Sequence, residues 1–178
     1  MKVNAALRVM LALFATACPA YSQPRDNGCA ATKATVNSID ASVARLQKSS
    51  LKLETGTDRG GELTVYRKGS TIVRIDATVG LSNADVNDVF YYSGRNLIFV
   101  TTKKLHYHYS QTLQGFDFGI PSVVSENSYC VVGRKLILLT RSSKPESSIA
   151  SNLVQEGEFL VREAKAGRQA VNIEALLK

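Results

Sequence analysis

Three stretches of the chain repeat one pattern. They are Tyr66-Arg67-Lys68-Gly69-Ser70-Thr71-Ile72-Val73, Tyr91-Tyr92-Ser93-Gly94-Arg95-Asn96-Leu97-Ile98 and Cys130-Val131-Val132-Gly133-Arg134-Lys135-Leu136-Ile137. Each sets a strand-like run, then a glycine, the residue that takes positive φ without steric cost, then two polar residues and a second apolar run. That combination reads as a β-hairpin, so three hairpins follow one another along the chain. The flanking residues alternate with period two. Leu63 and Val65 flank Thr64, and Val73, Ile75, Ala77 and Val79 alternate with Arg74, Asp76 and Thr78, which predicts half-buried strands. With a leading strand over Ser50 to Thr55, the stretch from about 50 to 141 becomes an antiparallel meander of six or seven strands.

Helical periodicity appears only at the two ends. Val36, Ile39, Val43 and Leu46 recur at three- and four-residue steps and predict an amphipathic helix over about 32–48. Ile149, Leu153, Leu160 and Ala164 share a stripe that predicts a second helix over about 146–166, with Pro145 near its first turn, Ser147 as a cap and Gly157 as a weak point. Arg168 to Lys178 reads as a short terminal helix or a frayed end. The predicted class is α+β: an open sheet with both helices packed on one face, strong curling being the alternative.

The first residues carry Lys2 and Arg8, no acid, and then a short apolar run, Val9 to Ala17, which is the layout of a secretory signal peptide. Small residues at Ala20 and Ser22 predict cleavage after Ser22, leaving a single domain over 23–178 in the periplasm or outside the cell. The minority alternative is a lipid anchor on Cys18, although Ala15-Thr16-Ala17-Cys18 is a poor match to the lipidation pattern. Removing 22 of the 178 residues leaves 156, enough for a real core. Because the removed segment takes two basic residues and no acid, a formal charge of +7 falls to +5. That mild excess is not a nucleic-acid tail, and no later stretch is apolar enough to span a membrane.

Cys29 and Cys130 remain, and two thiols in an oxidising compartment pair more often than not, the alternative being two separate buried thiols. Closing a loop of that length contributes about 4–5 kcal/mol on the chain-entropy model. The link would staple the first helix, with Cys29 just ahead of its N-terminus, to a strand.

The run Gly60-Gly61-Glu62-Leu63-Thr64-Val65-Tyr66, with Gly69, Ile72-Val73-Arg74-Ile75, Val89-Phe90-Tyr91-Tyr92-Ser93-Gly94 and Leu97-Ile98-Phe99-Val100, resembles a pattern of small secreted bacterial proteins without assigned function. The resemblance covers about residues 50 to 110. It implies an exported, strand-rich protein and brings no activity and no catalytic residues with it.

Chemistry-bearing residues are sparse. His106 and His108, in Leu105-His106-Tyr107-His108-Tyr109, would project to one side of a strand. Zinc needs three or four ligands, and only a carboxylate such as Asp117 or Glu126 is left to complete a site, so the favoured reading is an exposed strand end with its tyrosines packed inward. Asn83 to Asp88 begins like a calcium loop, but Asp88 stands where glycine is needed and Gly94 where glutamate is needed; a helical turn capped by Ser82 or Asn83 fits better. No nucleophile elbow, phosphate loop, His-Glu-x-x-His or Cys-x-x-Cys is present, and no cofactor is implied. Glu54, Asp58, Glu62 and Asp76 would form an acid–base pair for a hydrolase only if the fold gathered two of them in a cleft.

A binding role therefore outranks catalysis. In a meander, alternate turns share one end of the sheet, which gathers Arg67, Lys68, Arg95, Arg134 and Lys135 into a basic rim suited to lipid headgroups, acidic polysaccharide or an acidic protein. The alternative is an inhibitor or accessory protein that docks on another exported protein by a strand edge or hairpin tip. Its positive charge argues against cationic targets.

Overall fold

The fold comes from a computed structural model that describes residues 26–142, 147–167 and 169–172. The expected signal peptide, Cys18 and Pro145 lie outside them. In chain order the elements are α1 (Asp26–Ser42), a 3₁₀ turn (Val43–Arg45), β1 (Gln47–Glu54), β2 (Gly61–Lys68), β3 (Thr71–Leu81), β4 (Ala84–Ser93), β5 (Asn96–Ser110), β6 (Gly115–Val132), β7 (Lys135–Arg141), α2 (Ser147–Lys165) and β8 (Ala170–Asn172). One open sheet runs β7-β6-β5-β4-β3-β2-β1-β8. The first seven strands form the expected antiparallel meander.

All three repeats are hairpins with two-residue turns, closed by Lys68↔Thr71, Ser93↔Asn96 and Val132↔Lys135. Their glycines take the positive φ that the sequence demanded, 59° at Gly69, 62° at Gly94 and 54° at Gly133. Ser82 and Asn83 do not cap a helical turn. They form the turn of a fourth hairpin closed by Leu81↔Ala84, and Asp85 to Asp88 extend along β4. The terminal stretch is not helical where it is described. Ala170–Asn172 adds an eighth strand, parallel to β1 through Lys52↔Ala170 and Glu54↔Asn172, so the sheet exceeds the expected count.

The helices correct the sequence reading in a further way, because they lie on opposite faces of the sheet. Tyr91, Phe99 and Cys130 are cross-strand neighbours and pack with Cys29 and Val36 of α1. Phe90, Tyr92, Val100 and Tyr129, the adjacent residues and therefore on the other face, pack with Leu153, Val154, Leu160 and Ala164 of α2. The reason is legible in retrospect. Val89 to Tyr92 and Leu97 to Val100 are unbroken apolar runs, the mark of strands buried on both faces.

α1 begins earlier than expected, so Cys29 lies within it. It also ends earlier: the Ser42 hydroxyl donates to the Ile39 carbonyl at 2.9 Å, and the chain tightens into the 3₁₀ turn before β1. The Cys29–Cys130 disulfide pins this helix to β6, with Cα atoms 5.7 Å apart across a sequence separation of 101. Such a link belongs to an oxidising, non-cytoplasmic compartment. A second clamp is ionic. Arg74 holds Asp76 at 2.6 and 2.8 Å and reaches Asp40 of α1 at 2.8 Å, while the Tyr91 hydroxyl donates to Asp40 at 3.1 Å.

α2 closely matches its predicted span, and Gly157 is its point of closest approach rather than a flaw. A Cβ there would stand 2.9 Å from Phe90 Cδ1 and 3.0 Å from Leu97 Cδ2, and the Tyr92 hydroxyl donates to the Gly157 carbonyl at 2.8 Å. No helix among the described residues is long and apolar enough to cross a membrane.

Two expectations follow. Replacing Cys29 and Cys130 by serine should lower unfolding free energy in urea by about 3–5 kcal/mol. Gly157→Ala should lower it by about 1–3 kcal/mol although alanine is the better helix former, because overpacking against Phe90 outweighs the propensity gain.

Candidate functional site

The longest strands define the most unusual surface. β5 has 15 residues and β6 has 18, while β4 stops pairing at Ala84↔His106 and β7 reaches β6 only from Asn127. Beyond His106 the two strands continue alone as a ribbon paired through Tyr107↔Pro121, Tyr109↔Phe116 and Ser110↔Gly115. A bare two-stranded ribbon is marginal in water, so side chains must hold it. They form an edge-to-face series: Tyr107 on Phe118 at 5.0 Å and Tyr109 on Phe116 at 5.8 Å. The base is tethered to the body. Tyr107 N–H donates to the Asn83 carbonyl at 2.9 Å, its hydroxyl donates to Asp85 at 2.8 Å, and Arg59 pairs with Asp85 at 2.9 Å while lying 3.8 Å over the Phe118 ring.

The outer surface of this arm is apolar and wet. Ile120 is 74% exposed, Leu113 63%, Tyr109 59% and Phe118 43%; only Val132 and Leu138 join them as exposed large apolar residues among those described. The expectation that both tyrosines of Leu105-His106-Tyr107-His108-Tyr109 pack inward thus holds for Tyr107 alone. Tyr109 points its bulk at solvent because, among the described residues, no third strand pairs beyond His106.

His106 and His108 lie on β5 where its pairing with β6 is irregular, and no group of three or more His, Cys, Asp or Glu residues suited to a metal gathers among the described residues. Asp117 Oδ1 instead accepts from its own loop, from Gly119 N–H at 2.9 Å. The four acidic candidates do not converge either. Asp76 is held by Arg74, Asp58 accepts from Ser82 Oγ at 2.9 Å, and Glu54 and Glu62 are exposed on β1 and β2.

At the opposite end of the sheet, the three glycine turns do stand side by side, with Arg67, Lys68, Arg95, Arg134 and Lys135 on them. Two of the five are engaged internally. Arg67 donates to Ser49 Oγ at 2.7 Å and to the Ala164 carbonyl at the end of α2 at 3.1 Å, and Arg134 pairs with Glu158 at 2.6 Å. Lys68, Arg95 and Lys135 are exposed. Of the five cations, three are thus exposed with no ion pair among the described residues and two are engaged, Arg67 and Arg134 both reaching α2, whose path the sequence did not show.

The fold gathers one carboxylate pair that the sequence reading missed. Ala77, Asp88, Thr102 and Asn127 stand in register across β3 to β6, on the face covered by α2. Asp88 is 9% exposed and Glu156 of α2 is 8% exposed, and Asp88 Oδ1 and Asn127 Oδ1 have no hydrogen-bond partner among the described residues. Burial disfavours their charged forms: the Asp88 carboxyl is pushed well up, further raised by Glu156, and Glu156 is pushed up to about 7. The available signal was Asp88's place in alternation with the buried Phe90 and Tyr92. Enclosed between α2 and the sheet, the two carboxyls stand where burial favours their neutral forms.

No family model matches the chain, and no significant match is found among curated proteins or solved structures, so the functional reading rests on the chain's own residues.

The carboxylate pair predicts a pH dependence. The folded state holds protons on Asp88 and Glu156 that the unfolded chain releases near pH 4–5, so the contribution is fully present below that range and is lost as pH rises through about 7. Urea midpoints should fall between pH 5 and pH 8, with the Glu156 part alone amounting to about 3 kcal/mol. Glu156→Gln should flatten the profile and be the more stable variant at pH 8.

Proposed function

We propose that this chain is an exported accessory or inhibitory protein of the bacterial envelope that docks on another exported protein through the β5–β6 arm. The observation that carries the reading is the exposure of Tyr109, Leu113, Phe118 and Ile120 on one tethered ribbon. Exposed apolar side chains gathered on one arm are a recognition surface or an aggregation hazard, and we read a ribbon braced by four aromatic rings and an arginine as the former. A braced arm also loses little conformational entropy when it binds.

The outer edge of β6 is not itself the reader. Pro121 has no N–H to offer a pairing strand, and Gly119 weakens the extended run, so the edge is blunted against strand addition. Side chains make the contact. The partner is accordingly an exported protein with an apolar groove or pocket, and the positive charge of this chain favours a neutral or acidic one. Export itself is supported by the Lys2 and Arg8 flanked apolar leader and by the disulfide.

A photo-crosslinking residue placed at Leu113 or at Ile120 in intact cells tests the reading. Both positions should capture the same polypeptide, the complex should persist in 1 M salt, and Tyr109→Ser with Phe118→Ser should weaken it roughly 10- to 100-fold. A probe at Lys68, at the other end of the sheet, should capture none of it. Adducts to lipid alone, or different random neighbours from the two positions, would count against docking.

A further inference from the structure

The basic end contains a preformed cleft. β5 and β6 pair only as far as Phe99↔Cys130, whereas the β4–β5 and β6–β7 hairpins each run on to their own turns. The two hairpin tips therefore part, and the facing backbone of Leu97-Ile98 and Val131-Val132 is not joined across the gap. Between them lies a cleft of about 550 Å³, within the range of small-molecule sites. Both helices wall it. α1 supplies Thr32, one turn beyond the disulfide-bonded Cys29, and α2 supplies Val154 and Glu158.

The lining has two characters. Leu97, Ile98, Val131 and Val154 make an apolar interior, while Arg95 and Arg134 stand on the two turns at its sides. Arg134 is already paired with one carboxylate, Glu158, at 2.6 Å, so an incoming head would share this guanidinium with Glu158. Arg95 across the cleft is exposed and carries no ion pair among the described residues. We propose that this cleft binds a single-chain amphiphile with a carboxylate or phosphate head, the head held by Arg95 with Arg134 and the hydrocarbon laid on Leu97, Ile98, Val131 and Val154.

Charge and shape agree on this class. An inorganic anion would leave the apolar lining wet, and an uncharged hydrocarbon would forgo the charge-assisted hydrogen bonds that Arg95 can make. This site is independent of the arm, so either can fail without the other.

The oxidised protein, titrated with decyl phosphate or decanoate below its micelle concentration and followed by amide NMR shifts, tests the proposal. Saturable shifts should centre on Arg95 to Ile98 and Val131 to Arg134. Inorganic phosphate and decanol should each bind at least tenfold more weakly. Arg95→Ala should weaken decyl phosphate binding at least tenfold with its amide dispersion and thermal midpoint preserved, while Lys68→Ala, the same loss of charge on the neighbouring turn, should leave it unchanged. Equal losses in the two variants would reduce the effect to diffuse attraction and overturn the cleft. Decanol binding as tightly as decyl phosphate, or shifts confined to the β5–β6 arm, would overturn it as well.

Discussion

The central strands are buried on both faces, and the rest of the architecture follows from that. A pleated strand sends neighbouring side chains to opposite sides. Phe90 and Tyr92 therefore demand cover on one face and Tyr91 and Phe99 on the other. One helix cannot supply both. α1 is drawn to Tyr91, Phe99 and Cys130 and locked there by the disulfide and by Arg74 with Asp40. α2 takes the larger face, where Gly157 lets its backbone come down on Phe90 and Leu97. The crossing of α2 returns the chain to the far edge, where β8 joins β1.

That arrangement leaves the molecule with two ends of different chemistry. At one, β5 and β6 outrun their neighbours and present an aromatic and aliphatic arm. At the other, the same two strands part, and the gap lies between arginines and an apolar interior. The length of β5 and β6 thus sets both surfaces, and the helices decide how much of each remains open.

The buried carboxylates belong to the same logic. Asp88 occupies a core position on a strand otherwise apolar on that face, opposite Glu156 on the helix that covers it. Two such groups are tolerated beneath α2 because protonation removes the charge that burial would penalise. The contact between helix and sheet is in this way tied to pH, in a chain whose other ionic links are partly exposed pairs such as Arg59 with Asp85.

Local chemistry was enough to read the three glycine hairpins, the span of α2 and the identity of the cysteine pair. A glycine turn and a helical stripe are each decided by residues close in sequence, and the cysteine pair was read by elimination, on the expectation that the segment bearing Cys18 is removed. The cation positions were equally plain, since alternate turns of a meander share one end. The rest depended on where distant elements stop. The exposure of Tyr109 reflects the shortness of β4 and β7, the engagement of Arg67 and Arg134 reflects the path of α2, and the meeting of Asp88 with Glu156 joins residues far apart in the chain. Alternation alone does not say which face a helix will cover, because that choice is made by the total apolar area each face must bury, and only the assembled sheet fixes that area.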